Sequence, residues 1–180
     1  MSLSLYALAI ETYLPMLRTL SELLDKGAEH AAAKKVDPAV LVNARLAPDM
    51  YSLAKQVQLA CDQAKESTAR LTGKEAPQLE GEDHTIDELK ARIARIIAYL
   101  ESVPESAFFG GEEREVTIPL PQLENAALVM NGVQFVRDWA LAHFYFHVVT
   151  AYDILRHNGV ELGKRDYMSG VARYIRTAPR

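Results

Sequence analysis

The chain has 180 residues, 49% hydrophobic and 24% charged, enough for one buried core and too short to expect two. A mild net charge of -4 gives no reason to expect nucleic acid, whose phosphates require a concentrated basic face. The single cysteine, Cys61, excludes an intramolecular disulfide and any cysteine-built zinc cluster. Cys61 falls in an apolar-periodic stretch with Val57 and Ala64, where a small buried core residue is expected. The start lacks basic residues and Glu11 interrupts its apolar run, unlike a secretory leader. No run of about 18 apolar residues suits a membrane span. A cytoplasmic location is the expectation.

Taken in order, Tyr6, Ile10, Tyr13, Leu17, Leu20 and Leu24 recur at steps of four and three, the mark of one buried stripe on a helix. Ser2 or Ser4 can cap this first helix, Gly27 lies near its expected end, and Pro15 should bend it. Asp37-Pro38 predicts a short helix, with proline at its first position. Pro48-Asp49 is expected to open helix 2, whose stripe is Met50, Ala54, Val57, Cys61, Ala64, Thr68 and Leu71 and whose stop is Gly73.

Residues 74–84 are polar and carry Pro and Gly, so they read as a loop. Thr85, with Glu88 three residues on, forms a capping box for helix 3. Its stripe is Ile86, Leu89, Ile93, Ile96, Leu100 and Val103, ending at Pro104. Phe108-Phe109-Gly110-Gly111 and the alternating Val116, Ile118 and Leu120 look extended. Ala127 to Met130 can supply the partner strand of a small hairpin. Helix 4 is expected from about Gln134 to His157, closed by Asn158-Gly159. The fold class is therefore all-α: four long amphipathic helices as an up-down four-helix bundle, with an irregular or hairpin segment between helices 3 and 4. Residues 1–170 form the single domain, and 171–180, with Arg173, Arg176 and Arg180, a basic tail.

The stretch that carries chemistry is Trp139-Ala-Leu-Ala-His143-Phe-Tyr-Phe-His147. Two histidines four apart project from one helical face and can share a metal ion; neutral imidazole suits zinc, nickel, copper or iron. On a helical wheel the pair lies away from the charged side marked by Asp138, Arg156 and Asp153, so both point inward. The same inward pair also suits core histidines bonded to a carbonyl, to Thr150 or to a nearby tyrosine. A catalytic metal needs a third ligand and an open position. The other histidines fit poorly, with His30 past the expected end of helix 1, His84 in the loop before helix 3 and His157 at the last turn of helix 4. Helix 2 offers Gln56, Gln58 and Asp62, with Gln58 nearest the buried stripe. Phe108-Phe109-Gly110-Gly111 lacks the lysine and the helix start of a phosphate loop. Glu112, Glu113 and Glu115 with Arg114 read as a solvated charged loop. No catalytic residue is assignable.

His143 through Tyr167, Asp49 through Asp62 and Phe108-Phe109-Gly110-Gly111 together resemble the bacterial family known as domain of unknown function 1993, across nearly the whole chain. That family is grouped with the DinB/YfiT-like bundles. The resemblance implies an up-down four-helix architecture, often a homodimer, with a divalent metal between helices 2 and 4. It implies His143 and His147 as the helix-4 ligands. The third ligand of the wider group is a helix-2 histidine, and this chain departs by offering Gln56 or Gln58 there. Some DinB-like relatives are transferases or isomerases that use low-molecular-weight thiols. The resulting expectation is a metal-dependent enzyme acting on a small molecule, for instance as a thiol-dependent transferase or a hydrolase. Nickel, zinc or iron would lie at His143 and His147, completed by Gln56, Gln58, Asp62 or water. The rival expectation is a metal-free dimeric bundle acting as a binding or stress-related protein.

Overall fold

Ser4 starts the first helix by accepting the Ala7 N–H at 3.1 Å, and α1 then runs from Leu5 to Lys34. The computed structural model describes residues 4–79, 81 and 83–176, so Ser2 and Arg180 lie outside the described residues. α1 passes through Pro15 unbroken and through Gly27, where it was expected to end; Lys35, at φ 56°, closes it. His30 consequently lies inside α1, not beyond it. Gly27 has a packing role instead. A Cβ there would lie 3.1 Å from Leu155 Cδ2, so the bare backbone lets two helices approach closely.

Asp37 Oδ1 accepts the Ala39 N–H at 2.9 Å and starts the short helix α2 (Ala39–Asn43). The next helix begins later than Pro48-Asp49 suggested. Those residues form a turn, and α3 (Leu53–Thr72) is capped by Ser52, whose hydroxyl accepts the Lys55 N–H. Gly73, at φ +69°, ends α3 as expected. α4 (Ile86–Ser102) opens with the reciprocal Thr85–Glu88 capping box.

The expected hairpin forms: β1 (Val116–Pro119) pairs antiparallel with β2 (Ala127–Met130), with Val116 opposite Met130 and Pro119 opposite Ala127. Asn131 caps the following helical segment in a box with Gln134. That segment is α5 (Gly132–Gln134), a π-helical turn over Phe135–Ala140, and α6 (Leu141–His157). Gly159, at φ +88°, lies at its end. α7 (Lys164–Tyr167) and a 3₁₀ segment (Ser169–Tyr174) return to α1. Lys26 Nζ donates to Asp166 at 2.6 Å, and the Thr19 and Ser169 hydroxyls are 2.8 Å apart. The expected basic tail is thus partly structured; residues 177–180 lie outside the described residues.

Four long helices make the core. α1 packs on α4, α4 on α3, α3 on α6, and α6 on α1. The stripes read from sequence meet at the centre, with Leu17, Leu20, Val57, Cys61, Leu89, Ile96, Phe144 and Val148 buried. Burial pushes the Cys61 thiol well above its ordinary range, which leaves it protonated and inert. α6 buries Phe144, Val148 and Ala151 in this core but leaves Phe146 56% and Val149 39% exposed on another side. Among the described residues, no helix is long and apolar enough to cross a membrane.

Two local devices pin the loops. Asp83 and Arg92 form a buried ion pair, Gln58 Nε2 donates to the same carboxylate at 3.2 Å, and Arg92 Nη2 donates to Gly81 O at 2.9 Å. This ties the 74–84 loop to α3 and α4. Gly111 and Gly132 press backbone to backbone, since a Cβ on Gly132 would fall 1.9 Å from Gly111 O. Within Phe108-Phe109-Gly110-Gly111, Phe108 and Gly111 therefore serve packing, while Phe109 is exposed. Phe108 is buried edge-on to Tyr6, and Gly110 turns at φ +75° so that Gly111 can reach Gly132.

Urea denaturation should show Arg92→Met destabilised by about 3–5 kcal/mol, because Asp83 is left buried without its partner; adding Asp83→Asn should restore part of the loss. Gly132→Ala should cost about 1–3 kcal/mol through the backbone clash. Gly110→Ala, which meets open space, should cost only the left-handed penalty of about 1–2 kcal/mol.

Candidate metal centre between α3 and α6

α6 places His143 and His147 one turn apart on the face turned towards α3, with ring centroids 4.8 Å apart. His147 is buried at 5% exposure and His143 is half-buried. Trp139, one turn earlier, stands edge-on to His143 at 5.5 Å. The structure thus brings together the two residues singled out by spacing, and they point inward.

The partner of His147 comes from the first turn of α3. Gln56 Oε1 lies 2.7 Å from His147 Nδ1, and Gln56 Nε2 donates to Tyr51 O at 3.3 Å. A carbonyl accepts only, so the Tyr51 contact fixes which end of the Gln56 amide faces the ring. The Nδ1 of His147 must then carry the proton and donate, which leaves an acceptor lone pair on Nε2. Among the described residues, that Nε2 is buried without a protein partner, as is Nδ1 of His143. Thr150 does not serve them; its hydroxyl donates to Phe146 O at 2.7 Å.

Gln58 and Asp62 are corrected as helix-2 ligands. Gln58 turns to the other side of α3, where its amide meets Asp83. Asp62 stays partly exposed and pairs with Lys65 at 3.2 Å. Among the described residues, no third His, Cys, Asp or Glu joins the pair to make a three-ligand cluster.

Burial keeps both rings neutral. It holds the His147 pKa down to about 4, with the neighbouring His143 adding to the effect. Burial lowers His143 as well, and Glu66 opposes the change. Neutral imidazole is the form that ligates metal.

Beside His143 opens a cavity of about 130 Å³. Gln63, Glu66, Ser67 and Arg70 of α3 form its polar wall, facing Ile118, Phe135 and Trp139. None of these α3 residues stood out in the sequence. Their signal was a polar series at 56, 63, 67 and 70 beside the apolar stripe, a helical spacing of seven, four and three. Gln56 early in α3 meets His147, while Arg70 late in α3 shares the cavity with Trp139, eight residues before His147 and ahead of α6. The two helices therefore run antiparallel along the site.

The depressed pKa of His147 gives stability a definite pH dependence. As pH falls, the unfolded chain takes up the proton at its ordinary value of 6.5, before the folded protein does. Stability should be full above that pH, decline towards pH 4 and then level, the loss being on the order of 2–3 kcal/mol. Denaturant midpoints measured from pH 7 to 4 should fall more steeply for the wild type than for His147→Gln.

Residues 5–168 match the family described as domain of unknown function DUF1993. A crystal structure of a DinB family member protein from Shewanella denitrificans is 43% identical, covers 91% of each chain and superposes with a TM-score of 0.83. No curated protein matches the chain. A family match over most of the sequence, joined to this agreement in fold, shows that the chain belongs to DUF1993, within the DinB family.

Proposed function

We propose that His143 and His147 form a two-histidine site for a divalent cation (nickel, zinc or iron) in a DinB-family enzyme acting on a small molecule. The observation that carries this reading is the pair of buried, unpartnered imidazole nitrogens, Nε2 of His147 and Nδ1 of His143. A buried polar atom without a partner costs about 1–3 kcal/mol, and ligation would satisfy both. The reading includes an up-down four-helix arrangement that holds the site between α3 and α6, and assembly as a homodimer.

Gln56 takes a supporting role in this reading. Its oxygen accepts the Nδ1 proton of His147 and so orients the ring with Nε2 free, which is how an outer partner tunes a histidine ligand. The Tyr51 carbonyl holds Gln56 in turn. With only two protein donors, positions stay open for water or for substrate. When bound, the cation would supply Lewis acidity and a more acidic water. The cavity walls do the rest: Glu66 and Arg70 offer one charge of each sign to a polar substrate, while Trp139, Phe135 and Ile118 exclude water from its apolar part. A thiol-dependent transferase or a hydrolase fits such a site.

A second reading is favoured by one observation, the lack of a third acidic or imidazole ligand among the described residues. In it the chain is a metal-free bundle that binds a small molecule or serves in a stress response, with the Gln56–His147 bond as a structural contact.

Elemental analysis of untagged protein, before and after exposure to nickel, zinc or iron(II), separates the two. About one ion per chain, absent from a His143→Ala/His147→Ala variant, is the result expected; no metal in either protein would leave the second reading. Gln56→Ala should remove the acceptor that orients His147 and weaken zinc binding by about tenfold or more, read by competition with a chromogenic chelator.

A further inference from the structure

On the other side of α3 lies a larger cavity, about 400 Å³, within the size range of small-ligand pockets. Its walls come from three parts of the chain: the end of α2 and the loop after it, the first turns of α3, and Asp83 and His84 ahead of α4. We propose that this cavity is a binding site for a small organic carboxylate carrying a hydrogen-bond donor at its far end. It is separate from the histidine pair and does not depend on a metal there.

Two cationic side chains stand in its wall. Arg45 and Lys55 both line it, and neither forms an ion pair with a carboxylate among the described residues. Arg45 commits Nη1 to Met50 O at 2.6 Å, which braces the side chain against its own loop. The Nε and Nη2 edge makes no hydrogen bond to any described residue. That edge presents two parallel N–H groups, the geometry that receives a carboxylate in bidentate fashion. The carboxylate in the wall, Asp83, is already matched by buried Arg92, so it does not cancel the charge of Arg45 and Lys55.

The rest of the cavity suits an organic body. Tyr51, 56% exposed, offers a ring face, and Val42 and Ala54 supply apolar wall. At the buried floor lies Gln58, whose Nε2 is engaged by Asp83 at 3.2 Å. Its Oε1 takes no donor among the described residues, so an acceptor is left for a hydroxyl or amine on the ligand. Gln56 and Gln58, two residues apart on α3, thus serve opposite sides of one helix.

The test is a titration followed by ¹H–¹⁵N correlation spectra of the full chain, with 4-hydroxybenzoate, benzoate, the neutral 4-hydroxybenzamide and inorganic phosphate as probes. The expected result is saturable shifts at the amides of Arg45, Lys55 and Gln58 with 4-hydroxybenzoate. Binding should be weaker with benzoate, which lacks the donor, and absent with the amide. Arg45→Gln and Lys55→Gln, each verified as folded by its spectrum, should each weaken binding by about tenfold, whereas His143→Ala/His147→Ala should leave it unchanged. Lack of saturable shifts, equal binding of acid and amide, phosphate binding as tightly as the acid, or full affinity in both charge variants would each overturn the proposal.

Discussion

An imidazole buried between two helices needs a partner for its N–H, and in this chain a single side chain meets that need. Gln56 reaches from the first turn of α3 to His147 on α6, while its own amide is held by the Tyr51 carbonyl just outside the helix. Because the backbone oxygen can only accept, the chain of contacts has one direction. It sets the tautomer of His147 and the position of the remaining lone pair. The pairing of α3 with α6 at this point follows from satisfying that polar group.

That seam also explains why α3 carries so much polar sequence for a central helix. Gln56 and the 63–70 series face α6, while Gln58 faces Asp83 and Arg92. Between these sides Val57, Cys61, Ala64 and Leu71 fill the core. A helix with two polar contact surfaces and a buried apolar stripe can join a site on one side to a loop anchor on the other. The π-helical turn over Phe135–Ala140 lies directly before the histidine helix. Such turns insert an extra residue and rotate the helix downstream of them. The phase of His143 relative to the segment before the turn is therefore set by the backbone and not by a regular 3.6-residue count.

The glycines show the same division between local and distant causes. Gly73 and Gly159 end helices for local reasons, their positive φ being the conformation that an L side chain resists. Gly27 and Gly132 look alike in sequence, yet each is set by what crosses it: a leucine of α6 in one case and the carbonyl of Gly111 in the other. Reading Gly27 as a helix end failed for this reason, since an interior glycine with a packing neighbour does not stop a helix.

Periodicity and capping chemistry are local, and they decided most of the architecture in advance. The four long helices, the Thr85–Glu88 box, the Gly73 stop, the hairpin strands and the inward direction of His143 and His147 all follow from residue spacing, because burying one stripe per helix permits few alternatives. The start of α3 at Ser52 instead of Pro48 is also local, but two capping signals competed there and the serine hydroxyl bonds the helix N–H directly. Only the tertiary structure decided that Gln56, and not Gln58 or Asp62, meets His147. A step of two residues turns a helix by about 200°, so the choice depends on which neighbour packs on which side. The cavity beside His143 and the Asp83–Arg92 anchor were likewise decided there, because both join residues from separate elements whose contact no single helix can encode.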